Sequence, residues 1–384
     1  MDSAPTCDPR AQTPPETEQD RLDRLRLIRS RRVGPVTFHR LMAEHGTAAA
    51  ALAALPDIAR AAGVENYTPC PVEVVLHELR AARVAGARML CLGEALYPPM
   101  LAGLPDAPPV LWLRGDPRLL ARPMVALVGA RNASSLGLRM ARRLAESLAE
   151  AGFVTVSGLA RGIDAEAHAA ALAKGTVAVL AGGVDVVYPA ENAALMAQIA
   201  TGGCLISEQP PGLEPQARHF PLRNRIISGM ARAVVVVEAA ARSGSLITAK
   251  DAADQGRDVL AVPGHPFDAR AAGCNQLIRD GAVLVRSAAD VIEALGGMAP
   301  PQMLRHLAEP EAAPVARPTP ARRALRDIAA LHSLILDRLS PSPMAEDQLI
   351  RDLAVPAADV APHLLSLELE GKLIRQPGGL LSRS

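Results

Sequence analysis

The segment from Arg218 to Ser228 is the densest group of residues able to hold a charged ligand. It contains three arginines and no acid, and Phe220 stands among them in a chain that is only 2% aromatic. Forked guanidinium groups suit phosphates, and an aromatic ring stacks on an unpaired base for about 1–3 kcal/mol. The segment, continued to Lys250, therefore predicts a contact with single-stranded DNA. The alternative is a core Phe220 with the arginines on a solvated or salt-bridged face.

Further anion-binding signals follow three short apolar runs of the chain. Each run ends in a loop of small or polar residues that leads into a helical pattern, so Ser134, Asp164 and Ser245 are each placed to cap a helix. A helix N-terminus beside an arginine binds anions. The predicted phosphate-binding rim consists of Arg131, Arg161, Arg242, Ser243, Gly244 and Ser245. For any one loop alone, an ordinary strand-to-helix turn is the alternative.

These loops require strands that end at a common edge, and the apolar runs supply them. Continuous Val/Ile/Leu-rich runs, mostly separated by helical segments, predict a doubly wound α/β fold with a parallel sheet covered on both faces. The runs lie at 125–128, 153–156, 177–180, 204–206, 234–237, 259–262 and 283–285. In such a sheet ligands bind beyond the carboxyl ends of the strands, which is where the predicted rim lies.

Smaller units flank the predicted sheet domain of residues 91–297. Residues 1–19 predict a disordered tail, and residues 20–90 predict a small arginine-rich helical domain. Apolar spacing predicts three helices in it, at Leu22, Leu25 and Ile28, at Leu41 and Met42, and at Leu52, Leu55 and Ile58. The turn at Gly34-Pro35 fits either a helix-hairpin-helix that offers N–H groups to phosphates or plain helical packing. Prolines predict a linker over 298–320. Beyond it, three helical patterns and a hairpin pattern over 321–384 predict a winged helix.

Composition and charge argue against several functional classes. The formal net charge of +1 gives no broad positive field, so a nucleic-acid site must be local. Five scattered cysteines without a C-x-x-C pair argue against zinc, an iron–sulfur cluster or a disulfide framework. The sequence shows neither a signal-peptide pattern nor a long apolar run, which predicts a cytoplasmic protein without membrane contact.

Catalytic signatures are also missing from the sequence. Neither G-x-G-x-x-G nor G-x-x-x-x-G-K-[ST] occurs, which predicts no nucleotide cofactor. Asp164 and His168 lie one helical turn apart without a third ligand or nucleophile, so a capping aspartate and a surface histidine are predicted. Ser157 follows an apolar run, yet G-x-S-x-G is absent. The sequence therefore predicts no metal site and no enzymatic activity.

Several motifs together resemble one protein family. The stretches VGAR, SGLARGIDAEAH, FPLRNRIISGMA, SGSLITA, VPGHP and GCNQLIRDGA occur in the order and spacing of the DprA/Smf family, the DNA-processing protein A of natural transformation. The upstream stretch YPPMLAGLPDAPPVLWLRGD extends the resemblance, which covers almost the whole predicted sheet domain. It implies an extended Rossmann-like sheet, with an N-terminal SAM-like or helix-hairpin-helix-like domain and a C-terminal winged helix.

The resemblance implies a cytoplasmic homodimer that binds and protects incoming single-stranded DNA and loads the recombinase RecA onto it. It implies neither a cofactor nor enzymatic activity. By matching motifs, it also places a DNA pocket on particular residues of this chain. They are Arg131, Ser157, Gly158, Arg223, Asn224, Arg225, Ser243, Gly244 and Ser245, with Lys250 as a further contact. The resemblance assigns Phe220 to the pocket on a weaker basis, because sequence does not give the orientation of its ring.

Two other functions stay open on the sequence. A nucleotide phosphoribohydrolase would share this fold class, but its P-G-G-x-G-T motif is replaced around Gly182-Gly183. A duplex-DNA regulator would read the major groove with the winged helix. The candidate recognition helix, near 357–370, has Asp359, Glu368 and Glu370 but no arginine or lysine, so we expect the winged helix to contact protein instead.

Overall fold

The computed structural model describes residues 13–297, 328–339, 343–353, 355–376 and 380–383. Residues 1–12 of the predicted tail and the whole predicted linker over 298–320 lie outside the described residues, whereas Glu18 and Gln19 of the predicted tail belong to a helix. The described part consists of a nine-stranded sheet with helices on both faces, an N-terminal helical domain and a C-terminal winged helix. The predicted fold class is confirmed.

Four helices form the N-terminal domain: α1 (Glu18–Arg29), α2 (Pro35–His45), α3 (Ala48–Ala61) and α4 (Val72–Val84). Thr17 and Asp20 form a capping box that starts α1, and Pro35 occupies the first turn of α2, where a missing N–H costs nothing. The apolar faces of the first three helices meet in one core around Phe38 and Leu41. These three helices were predicted from their apolar spacing.

Helix α4 was not predicted, because Val74, Leu76 and Val84 on it are exposed and blur its apolar face. The helix joins the N-terminal domain to the sheet through a buried carboxylate. Glu78 accepts hydrogen bonds from Arg29 Nη2 and from Trp112 Nε1, both at 2.8 Å. This pairing satisfies a buried charge at the junction of the two domains.

Nine strands form the sheet in the order β1-β2-β6-β5-β4-β3-β7-β8-β9. Their bounds are β1 (Arg88–Cys91), β2 (Val110–Gly115), β3 (Met124–Val128), β4 (Val154–Ser157), β5 (Thr176–Val179), β6 (Cys204–Ser207), β7 (Ala233–Val236), β8 (Asp258–Ala261) and β9 (Val283–Leu284). The strands from β3 onward pair in parallel, as predicted. Strands β1 and β2 extend one edge with antiparallel pairing and were not predicted.

Eight helices accompany the strands: α5 (Pro99–Ala102), α6 (Ser135–Glu150), α7 (Ile163–Ala171), α8 (Ala193–Gly202), α9 (His219–Met230), α10 (Ser245–Asp254), α11 (Ala272–Arg279) and α12 (Ala288–Ala294). Successive side chains of a strand point to opposite faces. Ala126 and Val128 of β3 therefore pack into one core, whereas Val125 and Leu127 pack into the other. Burial on both faces explains the continuous apolar runs in the sequence.

The chain changes direction across the sheet at β3. Strands β4, β5 and β6 follow one another on one side of β3, whereas β7 returns to its other side. At such a switch point the loops of the two neighbouring strands diverge and leave a crevice beyond their carboxyl ends. The crevice between the loops that follow β3 and β7 is therefore the expected position of a ligand.

The C-terminal unit has the order of a winged helix. It comprises α13 (Ile328–Arg338), β10 (Met344–Ala345), α14 (Glu346–Leu353), α15 (Ala357–Leu369), β11 (Leu373–Gln376) and β12 (Leu380–Arg383). The three helices pack around a separate core that includes Ile335, Leu349 and Leu364. The predicted turn at 377–379 lies outside the described residues.

The structure corrects the predicted roles of Asp164 and His168. Gly162 is the N-cap of α7, and the Asp164 carboxylate instead accepts hydrogen bonds from the N–H groups of Gly158 and Ala160 in the preceding loop. His168 is not on the surface but is completely buried, with Nδ1 2.7 Å from the Thr176 hydroxyl. Sequence spacing placed both residues on one helix but did not show that this face packs on the sheet.

Burial makes His168 an acid-sensitive element of the fold. Loss of solvation, with a smaller effect of the Arg223 charge, lowers the pKa of His168 to about 3. The unfolded chain, with an ordinary pKa of about 6.5, therefore binds a proton that the folded protein does not. Stability should fall by ~1.4 kcal/mol per pH unit from this group as pH drops below about 6.5. Urea unfolding between about pH 7 and pH 5 should show a shallower pH dependence for His168→Gln, and an equal dependence would contradict this role.

The remaining titratable groups offer little covalent or metal chemistry. Burial raises the pKa of Cys91, Cys204 and Cys274 to about 12, so these thiols stay protonated at neutral pH. Within the described ranges, no cluster of three or more His, Cys, Asp or Glu side chains could hold a metal ion. Among the described helices, none has the length and apolar character needed to cross a membrane.

Candidate functional site

A cavity of about 600 Å³, here called the main cavity, lies at the switch point of the sheet. Its walls are the loop after β3, the end of the loop after β4, the first turns of α9, the loop and first turn that follow β7, and Arg270 from the loop after β8. These segments carry the motifs that the sequence singled out. The topology therefore brings them together at one sheet edge, as predicted for an open parallel sheet.

Arginines dominate the charge of the main cavity. Four of them line it, from four different segments of the chain, and Asp164 is the acid among the lining residues. The four are Arg131, Arg223, Arg242 and Arg270. Arg131 and Arg242 are exposed and form no ion pair within the described part of the chain. A nearly neutral protein thus concentrates positive charge in one concave site, where a local field attracts anions.

Arg223 is the buried cation of the main cavity. It is 7% exposed, and its Nη1 donates to the carbonyl of Val179 at 2.9 Å. Its Nε is buried without a hydrogen-bond partner, and no described carboxylate lies within ion-pair distance. Burial lowers the pKa of Arg223 to about 10, although Asp164 acts in the other direction. The side chain is therefore still charged at neutral pH and is poorly compensated, which is unusual outside functional sites.

Asp164 and Gly158 hold the loop that covers Arg223. Burial raises the pKa of Asp164, while the charge of Arg223 and the two loop N–H groups oppose the shift. A Cβ atom at Gly158 would collide with the Arg223 guanidinium. Gly158 thus allows the backbone to approach Arg223 closely, which gives this glycine a steric role.

Phe220 forms an aromatic wall between the main cavity and a neighbouring one. Its ring lies 5.5 Å from the ring of Tyr188, and the Arg131 guanidinium carbon lies 5.6 Å from its centroid. The neighbouring cavity, here called the second cavity, has a volume of about 400 Å³ and shares Arg131, Phe220 and Arg223 with the main one. Phe220 is half-buried, so the alternative of a purely core Phe220 is not what the structure shows.

The loop after β7 supplies small hydroxyl side chains to the opposite wall. Ser243 and Ser245 line the main cavity with Gly244 between them, and their two hydroxyl oxygens lie 2.7 Å apart. The N–H of Ser245 also points at the Ser243 hydroxyl, at 3.4 Å. Gly244 rather than Ser245 is the N-cap of α10, and it provides no side-chain cap. The N–H groups of Ser245, Leu246 and Ile247 already donate within this turn, to the Ser243 hydroxyl and to the carbonyls of Ser243 and Gly244, so this wall offers an anion its hydroxyl groups.

The other residues predicted for the site are placed in several ways. Asn224 lines the main cavity, and Gly158 and Arg161 line the second cavity, where Arg161 lies 3.6 Å from Glu191. Lys250 is exposed on α10 and lines neither cavity. Ser134 does cap α6 as predicted, by accepting from the N–H of Gly137.

Two predicted ligands face away from the cavities. The Ser157 hydroxyl is fully buried and donates to the carbonyl of Leu127 at 2.6 Å, so it serves the sheet. Arg225 lies two positions after Arg223 on α9 and points to another side of the helix. There it pairs with Glu208 at 2.7 Å and bonds the carbonyl of Asp106, also at 2.7 Å. We therefore correct both assignments to structural roles.

Sequence reasoning missed three residues of the site. Asn132 and Arg270 line the main cavity, and Tyr188 stacks beside Phe220. Asn132 follows Arg131 directly, so its place in the first loop was a usable signal. Arg270 lies beyond β8, in the HPFDAR stretch after the proline-glycine turn, and Tyr188 follows β5 at a distance. Neither position has a spacing that points to the site.

Comparisons with known proteins agree with this architecture. The family model described as DNA recombination-mediator protein A matches residues 88–296. Models of a DprA-like N-terminal HHH domain and a DprA winged helix domain match residues 18–81 and 316–379. Protein Smf of Synechocystis is 37% identical over 309 residues, which cover 73% of this chain and 76% of that protein. DNA processing protein DprA of Bacillus subtilis is 44% identical over 220 residues, 56% of this chain and 74% of that protein.

Two solved structures are similar to the described fold. DNA processing protein A of Streptococcus pneumoniae is 43% identical, with a TM-score of 0.52 over 54% of this chain and 73% of that chain. DNA processing protein A of Helicobacter pylori, described for its single-stranded DNA binding mode, is 29% identical. Its TM-score is 0.51 over 55% of this chain and 96% of that chain. Because a family model matches more than half of the sequence and a relative matches most of its length, the chain belongs to the DprA/Smf family.

Proposed function

We propose that the main cavity holds the phosphate backbone of single-stranded DNA and that Phe220 contacts one of its bases. The observation that carries the proposal is the convergence of four arginines on one cavity whose lining includes a single acid. An aromatic wall beside that cavity adds a surface for a base, which only an unpaired strand presents. The relative from Helicobacter pylori, described for its single-stranded DNA binding mode, supports the same assignment.

We further infer a role in DNA processing during natural transformation. The matched relatives named DNA processing protein DprA support this role. Protection of incoming DNA, loading of RecA, action as a homodimer and a cytoplasmic location are the finer parts of the proposal, and they rest on the resemblance of the motifs. A binding protein without enzymatic activity is part of the same proposal, because the cavity offers arginines and hydroxyl groups rather than a nucleophile paired with a base.

The winged helix enters the proposal as a protein-contacting domain. Glu368 of α15 pairs with Arg375, and Glu370, which follows the last residue of α15, pairs with Lys372. These pairs neutralise basic side chains that a duplex-binding surface would need. The structure thus gives the duplex-regulator alternative no support beyond the domain's shape.

Replacing Arg131 by alanine tests the cavity directly. We expect affinity for a single-stranded oligonucleotide to fall about tenfold, because an exposed phosphate contact is lost. The slope of log affinity against log salt should become shallower by about 0.7 for one lost contact with a single strand. The measurement is fluorescence anisotropy over a salt series.

The matched control is Arg143→Ala, which removes an exposed arginine of α6 that lines neither cavity. This variant should bind as the wild type does, apart from a small long-range charge effect. Equal affinities and salt slopes for Arg131→Ala and Arg143→Ala would sink the assignment of the cavity to DNA.

A further inference from the structure

The end of α13 lies against two loops of the sheet domain. Arg270 donates from Nη1 to the carbonyl of Asp337 at 2.7 Å and from Nη2 to the carbonyl of Leu339 at 2.6 Å. In the reverse direction, Arg338 Nη1 donates to the carbonyl of Ala133 at 3.3 Å. Each domain thus offers one arginine to main-chain carbonyls of the other.

The chemistry of a helix end explains why this contact is favourable. The last carbonyl groups of a helix lack partners within the helix and carry the negative end of its dipole. An arginine at this position satisfies the carbonyls and interacts favourably with the dipole. Arg270 therefore caps α13. The groups of the winged helix that it contacts are main-chain carbonyls, whose positions are fixed by the fold of that domain.

Both loops involved also border the main cavity. Arg270 lines it, and Ala133 directly follows the lining residue Asn132. In the docked arrangement Asp268 accepts from Nε and Nη2 of Arg270, while the two carbonyls occupy Nη1 and Nη2. These bonds use four of the five guanidinium N–H groups and leave one on Nη1. Arg270 can therefore offer a phosphate a single N–H in the docked arrangement, and it can form a bidentate contact only by giving up part of this set.

The charge of the winged helix gives DNA no further attraction on that side. Within the described ranges its acids outnumber its basic residues. The acids are Asp337, Glu346, Asp347, Asp352, Asp359, Glu368 and Glu370, and the basic residues are Arg338, Arg351, Lys372, Arg375 and Arg383. Over residues 321–384 as a whole the sequence has eight acidic and eight basic residues, so the winged helix adds no net positive charge that would extend the path of a phosphate chain.

We propose that these two loops are a docking surface for the chain's own winged helix, and that the docked domain competes with single-stranded DNA for Arg270. The proposal rests on the proposed DNA site. A bidentate contact between Arg270 and a phosphate on the β8 side of the main cavity then requires release of α13. Conversely, anything that binds the winged helix elsewhere frees Arg270 for DNA.

The size of the effect follows from the docked fraction. Apparent affinity is reduced in proportion to the fraction of molecules that is competent to bind. If docking is favoured by the few hydrogen bonds described, removal of one of them should raise apparent affinity about threefold to tenfold. The docked state thus lowers the apparent affinity for single-stranded DNA modestly and reversibly.

Arg338→Ala in the full chain removes a docking bond without altering the main cavity. The control is Arg351→Ala, which takes one positive charge from an exposed position of α14 whose hydrogen bond goes to Gln348 in the same helix. We expect Arg338→Ala to bind a single-stranded oligonucleotide about threefold to tenfold more tightly than Arg351→Ala. Anisotropy at fixed salt measures both variants beside Arg131→Ala.

The three variants separate the two hypotheses. Tighter binding by Arg338→Ala, with weaker binding by Arg131→Ala, supports docking in competition with DNA. If Arg131→Ala weakens binding while Arg338→Ala matches Arg351→Ala or binds more weakly, the docking proposal fails and the DNA site stands. If Arg131→Ala has no effect, the DNA site fails and the competition proposal falls with it.

Discussion

Replacing Arg223 by methionine should remove most of the affinity for single-stranded DNA and leave the fold at least as stable. Arg223 is charged, buried and without an ion-pair partner among the described residues, and it lines both cavities. A phosphate in the main cavity would supply the missing partner in a site of low dielectric. Removing one member of a buried charged pair typically costs ~2 kcal/mol or more, so affinity should fall at least about thirtyfold.

The expected gain in stability has the same origin as the loss of binding. Burial lowers the pKa of Arg223 to about 10, from an ordinary value of 12.5, which corresponds to roughly 3 kcal/mol spent on keeping the charge buried. Methionine fills a similar volume without a charge and loses one hydrogen bond, that to Val179, worth about 1 kcal/mol. The free energy of unfolding should therefore be unchanged or up to ~2 kcal/mol higher.

Arg257→Met is the matched control for this experiment. Arg257 is also partly buried, burial lowers its pKa, and its Nε is buried without a partner while Nη2 donates to the carbonyl of Met100. It lines neither cavity. The two variants should differ in their affinity for the oligonucleotide but not in the free energy of unfolding measured with urea. An Arg223→Met protein that unfolds more easily yet binds normally would show that Arg223 is structural.

The fold was predictable because periodicity reports burial. The runs from 125–128 to 283–285 are apolar without alternation, and each became a strand of the parallel set. Both faces of strands β3 to β7 are covered, whereas Val283 and Leu284 of the edge strand β9 are exposed. Strand β1 is as long as several of the predicted strands, but it begins with the charged and exposed Arg88 and so lacks a continuous apolar run. Helix α4 was not predicted because two exposed valines and an exposed leucine interrupt its apolar periodicity.

The site was predictable only as far as topology decides it. Parallel strands bring the loops at Arg131, Gly158 and Ser243 to one edge of the sheet, and this placement does not depend on the direction of the side chains. The direction of each side chain depends on helix rotation, which sequence spacing leaves open. Arg223 and Arg225 differ by two positions and therefore point to different sides of α9, one to the cavity and the other to Glu208.

Substitution of Phe220 distinguishes the contribution of base stacking to DNA affinity from that of phosphate contacts. Its ring faces both cavities and is flanked by Tyr188 and by the Arg131 guanidinium. Stacking of a base on an aromatic ring contributes ~1–3 kcal/mol and involves no counterion release. Loss of the ring should therefore weaken binding without changing its dependence on salt, in contrast to the loss of Arg131.

We expect Phe220→Leu to bind a single-stranded oligonucleotide about fivefold or more weakly than the wild type, because leucine keeps apolar contact but offers no aromatic face. Phe220→Tyr keeps the ring and should bind nearly as the wild type does. The slope of log affinity against log salt should agree for all three proteins, because the phosphate contacts are the same. If Phe220→Leu binds as tightly as Phe220→Tyr, no base stacks at this position and the cavity recognises the backbone alone. Because leucine also leaves Arg131 without its ring, a changed salt slope in Phe220→Leu would instead mean that Phe220 acts by positioning Arg131.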